Sequence, residues 1–235
     1  MKRIFYLIPI LLLTILPNKT QCTEWNISLS IMDRYTEKIY NNSSSVRIRS
    51  ETTIYQKISD FEISLSLNNY LRPYIQQNRI LVPELLKLNL GCSYYIGDLY
   101  IDLYNLLTEY TNTRDEIKLG IGYFLNPIEV ISIIPEANLY YDFNGFYWEI
   151  CITPQIIIPL DIPIQISIPT TVNGFTENYM EINQSVIGGF ILSLKISLFL
   201  KENFDLILHG GYFISTNPIT TSYPFLIVKI SKNFE

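Results

Sequence analysis

Arg47, Arg49 and Glu51 stand at alternate positions, as do Tyr100, Asp102 and Tyr104, and Glu116 and Lys118. A spacing of two puts side chains on one face of a β-strand, so each of these groups shares its surroundings with its neighbours. Glu62, Lys87, Tyr140, Glu149, Lys195, His209 and Lys229 fall on the same face of their own strands. Charges of both signs mixed with phenolic hydroxyls on one face suit two roles. They can line a water path for small solutes, or they can pair and merely satisfy one another. The near balance of signs argues against strong ion selectivity.

His209 is the one histidine of the chain. It could act as an acid or base, but a histidine hydrogen-bonded to a neighbour on a polar face is the commoner case. With Cys22, Cys92 and Cys151 as the three cysteines, no metal-ligand spacing occurs, and neither metal nor cofactor is expected. Cys92 falls among the apolar positions of its strand and Cys151 among the polar ones, so a disulfide between them is not expected.

The elements that carry these residues alternate. In "GGFILSLKISLFLKENFDLILHGGYF", Gly188 to Phe213, the residues Phe190, Leu192, Leu194, Ile196, Leu198 and Leu200 share one face, and Ser193, Lys195 and Ser197 the other. A helix would scatter its charges, whereas two strands and a tight turn separate them. Each apolar face is about ten residues long, the length of a tilted strand crossing a bilayer. Trp25 to Ile31, Phe61 to Leu67, Leu86 to Cys92, Leu99 to Leu103, Ile117 to Tyr123, Phe146 to Ile156 and Leu226 to Ile230 repeat the pattern. About twelve strands follow.

Connection lengths test that count. Short junctions are expected at Lys57–Asp60, Tyr95–Asp98, Leu125–Pro127, Leu160–Asp161 and Lys201–Asn203. Longer ones alternate with them at Tyr35–Ser44, Asn69–Pro83, Thr108–Arg114, Thr170–Gln184 and Ser215–Ser222; the tight Asp142–Gly145 turn is the exception. Short turns on one side and long loops on the other belong to up-and-down membrane barrels. Prolines 127, 135, 154, 159, 163 and 169 crowd the seventh to ninth strands, where a bulge at Pro154 or a shifted register is expected.

The chain opens with MKRIFYLIPILLLTILPNKTQC, two cations and then an apolar run too short to span as a helix, which reads as a secretory signal peptide over residues 1–22. Acylation of Cys22 is the rival reading. Loss of Lys2, Arg3 and Lys19 with that segment takes the net charge from −5 to −8, which gives no support to nucleic-acid binding. No later run holds 18 apolar residues, so any crossing falls to strands. A soluble barrel would also alternate, with its apolar face inward. The leader, the near absence of charge from one face and the turn asymmetry favour a membrane.

Aromatic residues Trp25, Tyr94, Tyr123, Tyr141, Phe146, Trp148, Phe204, Tyr212 and Phe234 gather near the ends of the apolar faces, as interfacial girdles do. The last strand, "YPFLIVKISKNFE", alternates and carries the aromatic Phe234 in the penultimate place. Over residues 23–235 the chain resembles bacterial outer-membrane β-barrel proteins. The resemblance implies an all-β fold, a transmembrane antiparallel up-and-down β-barrel of about 12 strands in the bacterial outer membrane. It also implies contact with outer-membrane lipid and with the assembly machinery through the C-terminal strand. A passive pore for small solutes is the first function expected. A surface-binding barrel whose loops hold an unspecified extracellular partner is the second. Outer-membrane phospholipases of about twelve strands are a third comparison, but they carry serine and histidine together on the lipid-facing side, and His209 falls on the other.

Overall fold

The computed structural model describes residues 23–32, 46–73, 81–109, 114–177, 179, 186–201, 203–216 and 221–234. The expected signal peptide and most of the expected long loops lie outside them. Alternating β-branched and aromatic residues make fourteen strands: β1 (Thr23–Met32), β2 (Arg47–Ile58), β3 (Phe61–Pro73), β4 (Leu81–Ile96), β5 (Leu99–Glu109), β6 (Arg114–Tyr123), β7 (Leu125–Ile128), β8 (Ile131–Tyr141), β9 (Phe146–Ile158), β10 (Ile164–Ser167), β11 (Thr170–Phe175), β12 (Val186–Phe199), β13 (Phe204–Ser215) and β14 (Tyr223–Phe234). All pairings are antiparallel between neighbours, and β1 closes the ring by pairing with β14 from Trp25 opposite Phe234 to Met32 opposite Ile227.

The fourteen strands make twelve staves. β7 continues β6 past Phe124 and pairs only with β8. β10 and β11 are one stave, since both pair with β9 and with β12 in the same register. Ser167 and Thr170 face Gln155 and Ile152 on one side, and Lys195 and Leu192 on the other. Pro169 brings no N–H to the ladder, and that is why the stave reads as two pieces. Its carbonyl still accepts from Ser193 N at 3.1 Å, and the Pro154 carbonyl accepts from Ile168 N at 3.0 Å.

Several expected boundaries move. β9 passes Pro154 without a shift, with Pro154 opposite Ile133. The register irregularities fall instead at Tyr70/Leu71, Leu125/Ile128 and Asn173/Gly174. The turn expected at Leu125–Pro127 lies at Glu129–Val130, because β7 carries the stave further. β3 and β4 extend to Pro73 and from Leu81, and β11 takes Thr170–Phe175 out of the expected loop.

The apolar rows point outward. Ile27, Leu29 and Ile31 are 48%, 52% and 51% exposed, whereas Ser28 and Ser30 between them are 3% and 4%. This distribution is that of a barrel whose apolar side faces hydrocarbon; a soluble barrel reverses it. At the short-turn rim Phe61 stacks on Tyr94 with centroids 4.4 Å apart, and Lys232 Nζ lies 4.4 Å above the Phe204 ring. At the other rim Tyr141 stacks on Phe146 at 4.8 Å. Cys92 and Cys151 are both free, on the outward and inward parities of β4 and β9.

Candidate functional site

Among the described residues, the inner wall is the surface where charged side chains from many staves converge. Strand parity places all the candidate residues there: Arg47, Arg49 and Glu51 on β2, Glu62 on β3, Lys87 on β4, and Tyr100, Asp102 and Tyr104 on β5. Glu116 and Lys118 follow on β6, Tyr140 on β8, Glu149 on β9, Lys195 on β12, His209 on β13 and Lys229 on β14.

They form separate groups. Glu51 meets Arg49 Nη2 at 3.0 Å and Lys229 Nζ at 3.3 Å, which ties β2 to β14 across β1. Arg49 Nε also donates to Asn68 Oδ1 at 2.8 Å, and the Arg49 and Lys87 head groups lie 5.6 and 5.8 Å from the Tyr70 ring centre. Arg47 is nearly covered, at 6% exposure. Lys118 sits 5.4 Å from the Tyr104 ring and 5.8 Å from the Tyr140 ring, attracted by the π faces rather than by a carboxylate. Glu149 accepts from Tyr140 at 2.9 Å, Asn138 at 3.2 Å and Tyr147 at 3.3 Å. Tyr100 donates to Glu136. Lys195 stands directly opposite His209, whose ring meets the Phe225 ring edge-on at 5.3 Å. Glu62 and Asp102, each opposite Ser93 of β4, make no ion pair among the described residues.

Glycines seat the tyrosine rings. A Cβ on Gly91 would lie 2.1 Å from Tyr104 Cε1, and one on Gly122 would lie 2.2 Å from Tyr100 Cζ. Each ring therefore lies against bare backbone of the adjoining strand, which a larger residue would push off the wall.

One group escaped the sequence reading. Tyr179, on the connection after β11, is fully covered, and its hydroxyl donates to Glu116. Its ring stacks on Tyr147 at 5.8 Å, within a cluster of Tyr147, Phe175, Tyr179, Phe213 and Tyr223. Its backbone nitrogen passes so close to Gly145 that a Cβ there would lie 2.4 Å away. The tight Asp142–Gly145 turn, held by Asp142 Oδ1 accepting from Asn144 N at 3.0 Å and Gly145 N at 2.9 Å, leaves room for this crossing. The inward aromatics Phe213 and Tyr223, at the long-connection end of an otherwise polar face, were the available signal.

Neither a family model nor a curated protein sequence matches the chain. Solved structures do. LpxR from Salmonella typhimurium is 9% identical, with 89% of this chain and 99% of that chain covered at a TM-score of 0.59. The NanC porin is 7% identical, with 88% and 98% covered and a TM-score of 0.56. An outer membrane channel from Pseudomonas putida F1 is 10% identical, with 94% and 100% covered at 0.52. The fold is that of the outer-membrane β-barrels. At such identities the likeness is one of architecture, and the side chains of this barrel's inner wall are its own.

Proposed function

We propose that the protein is a passive, non-enzymatic pore for small solutes in the bacterial outer membrane. One observation carries the reading: Lys195, Glu62 and Asp102 point inward, are partly exposed, and make no close ion pair among the described residues. A dry interior would make such charges cost several kcal/mol each, so they call for water inside the wall. The likeness in fold to the NanC porin and to the Pseudomonas channel supports the same reading. His209, turned inward against Phe225, leaves the lipid-facing side without a histidine for hydrolytic chemistry. The outer apolar face would meet lipid, and Tyr223–Phe234 would present the strand that the assembly machinery reads.

The test is conductance of the refolded full chain in a planar bilayer. Stepwise, voltage-independent current steps are expected. A protein that shows the heat-dependent gel mobility of a closed barrel yet passes no current would sink the proposal, and would leave a surface-binding role for its loops.

A further inference from the structure

The outward face of one stave breaks the apolar belt. On β2 the outward positions include Ser50, Thr52 and Gln56, because Ser50 and Thr52 stand opposite the exposed Leu29 and Ile27 of β1, and Thr52 also stands opposite the exposed Leu67 of β3. Asn69 of β3, the ladder partner of Ser50, adds a fourth polar group to the row. All four are partly exposed, and Ser50 and Thr52 lie near the middle of β2, well inside the belt. β12, by comparison, carries Phe190, Leu192, Leu194, Ile196 and Leu198 on this face. The outward Asn105 of β5 and Thr170 of β11 each stand between apolar residues of their own strand.

The row is short of partners. Ser50, Thr52, Gln56 and Asn69 make no side-chain hydrogen bond among the described residues, whereas Thr53, on the inner side of the same strand, pairs with Ser66 at 2.9 Å. Lipid tails offer neither donor nor acceptor, so hydroxyl and amide groups at this depth are costly until something polar covers them.

We propose that the protein associates in the membrane as a two-fold dimer through the outward face of β2, a second copy of the chain covering the row. A two-fold axis along the membrane normal brings each residue to the depth of its own counterpart. Hydroxyl and carboxamide groups both donate and accept, so identical groups satisfy one another, a self-complementarity that a row of lysines or carboxylates lacks. The short side chains of Ser50 and Thr52 let two convex walls approach closely, and Leu29 and Leu67 on the flanking staves close the contact against lipid. Each barrel keeps its own lumen, so the inference stands apart from the pore reading.

The test uses the refolded full chain. Sedimentation equilibrium in density-matched detergent should give a dimer for the wild type, weakened by roughly tenfold or more in Ser50→Leu with Thr52→Leu, since several modest membrane hydrogen bonds are lost together. That variant adds apolar residues to a lipid-facing wall, and heat-dependent gel mobility checks that it folds. In vesicles, with the three native cysteines replaced by serine, Thr52→Cys should form a disulfide-linked dimer on oxidation. Ile150→Cys, outward on β9 and six staves away around the ring, should not. A wild type that stays monomeric overturns the proposal and leaves the row to lipid or to a different membrane protein. A folded leucine variant that dimerises as tightly as the wild type, or Ile150→Cys cross-linking as fully as Thr52→Cys, overturns the assignment of the contact to β2.

Discussion

The Tyr179 hydroxyl, on the connection after β11, donates to the Glu116 carboxylate on β6, three staves away around the ring. Tyr179 thus reaches past β9 and β8 at the long-connection rim, its backbone nitrogen beside Gly145 and its hydroxyl on Glu116.

Tyr179→Phe removes one donor from the buried Glu116 carboxylate, a loss of about 1–3 kcal/mol for a hydrogen bond to a charged group. The crossing should loosen, and single-channel recordings should show higher mean conductance with more open-state noise. Wild-type traces from the variant would mean that the Tyr179–Glu116 contact does not limit the current.

Gly91 and Tyr104 make a second test. Adding a methyl at Gly91 forces the Tyr104 ring off the wall, and overpacking of this kind costs about 1–3 kcal/mol. Gly91→Ala should therefore destabilise the barrel in urea titrations from lipid vesicles, and much of the loss should vanish in a Tyr104→Ala background. Additive effects would show that ring and glycine are energetically independent.

Adjacent positions on β12 give a direct reading of inside and outside. Leu194 is 46% exposed on the outer face, and Lys195 points inward. Leu194→Arg should cost about 2–4 kcal/mol near the bilayer midplane, whereas Lys195→Arg should change stability little. Equal costs, or the reverse order, would mean that the wall has been assigned inside out.

The two cysteines report the same geometry chemically. Cys151 lies on the inward parity of β9, beside Thr153 with Sγ and Oγ1 3.4 Å apart, and Cys92 on the outward parity of β4. In reconstituted protein a charged, water-soluble thiol reagent should modify Cys151 faster, and a lipid-soluble maleimide should favour Cys92. Mass spectrometry of the two peptides measures the ratio.

The alternation alone revealed most of this architecture. Apolar and polar positions separate at period two through Phe190–Leu200 and Phe204–Tyr212, and a closed wall keeps that separation because each face meets a different medium. Boundaries were harder to read. Pro169 looks like a strand end yet holds its register, because partners on both sides fix the flanking residues even where one N–H is missing. Leu125–Pro127 looks like a turn yet belongs to β7, which extends a stave by pairing on one side alone. The inward parity of the candidate residues was visible, but their grouping was not. Which charges share an arc depends on the circular order of staves, and alternation along one strand carries no information about that. Tyr179 was missed for the same reason: its partner on β6 is remote in sequence and near only once the ring has closed.

Closure itself constrains how the molecule can be made. Asn26 donates to Asn233 across the β1–β14 seam, a link between residues 207 positions apart. Until β14 is synthesised, the strand that must seal the cylinder does not exist, and β1 presents its backbone groups to whatever it meets. Local hairpins can form early, but the seam belongs to the slow class of contacts whose loop entropy is met last. Throughout that interval the nascent sheet has an open edge and a wholly apolar side, the combination most prone to pairing with the wrong chain. Folding is therefore a race between closure and aggregation, and the last twelve residues of the ladder decide when it ends.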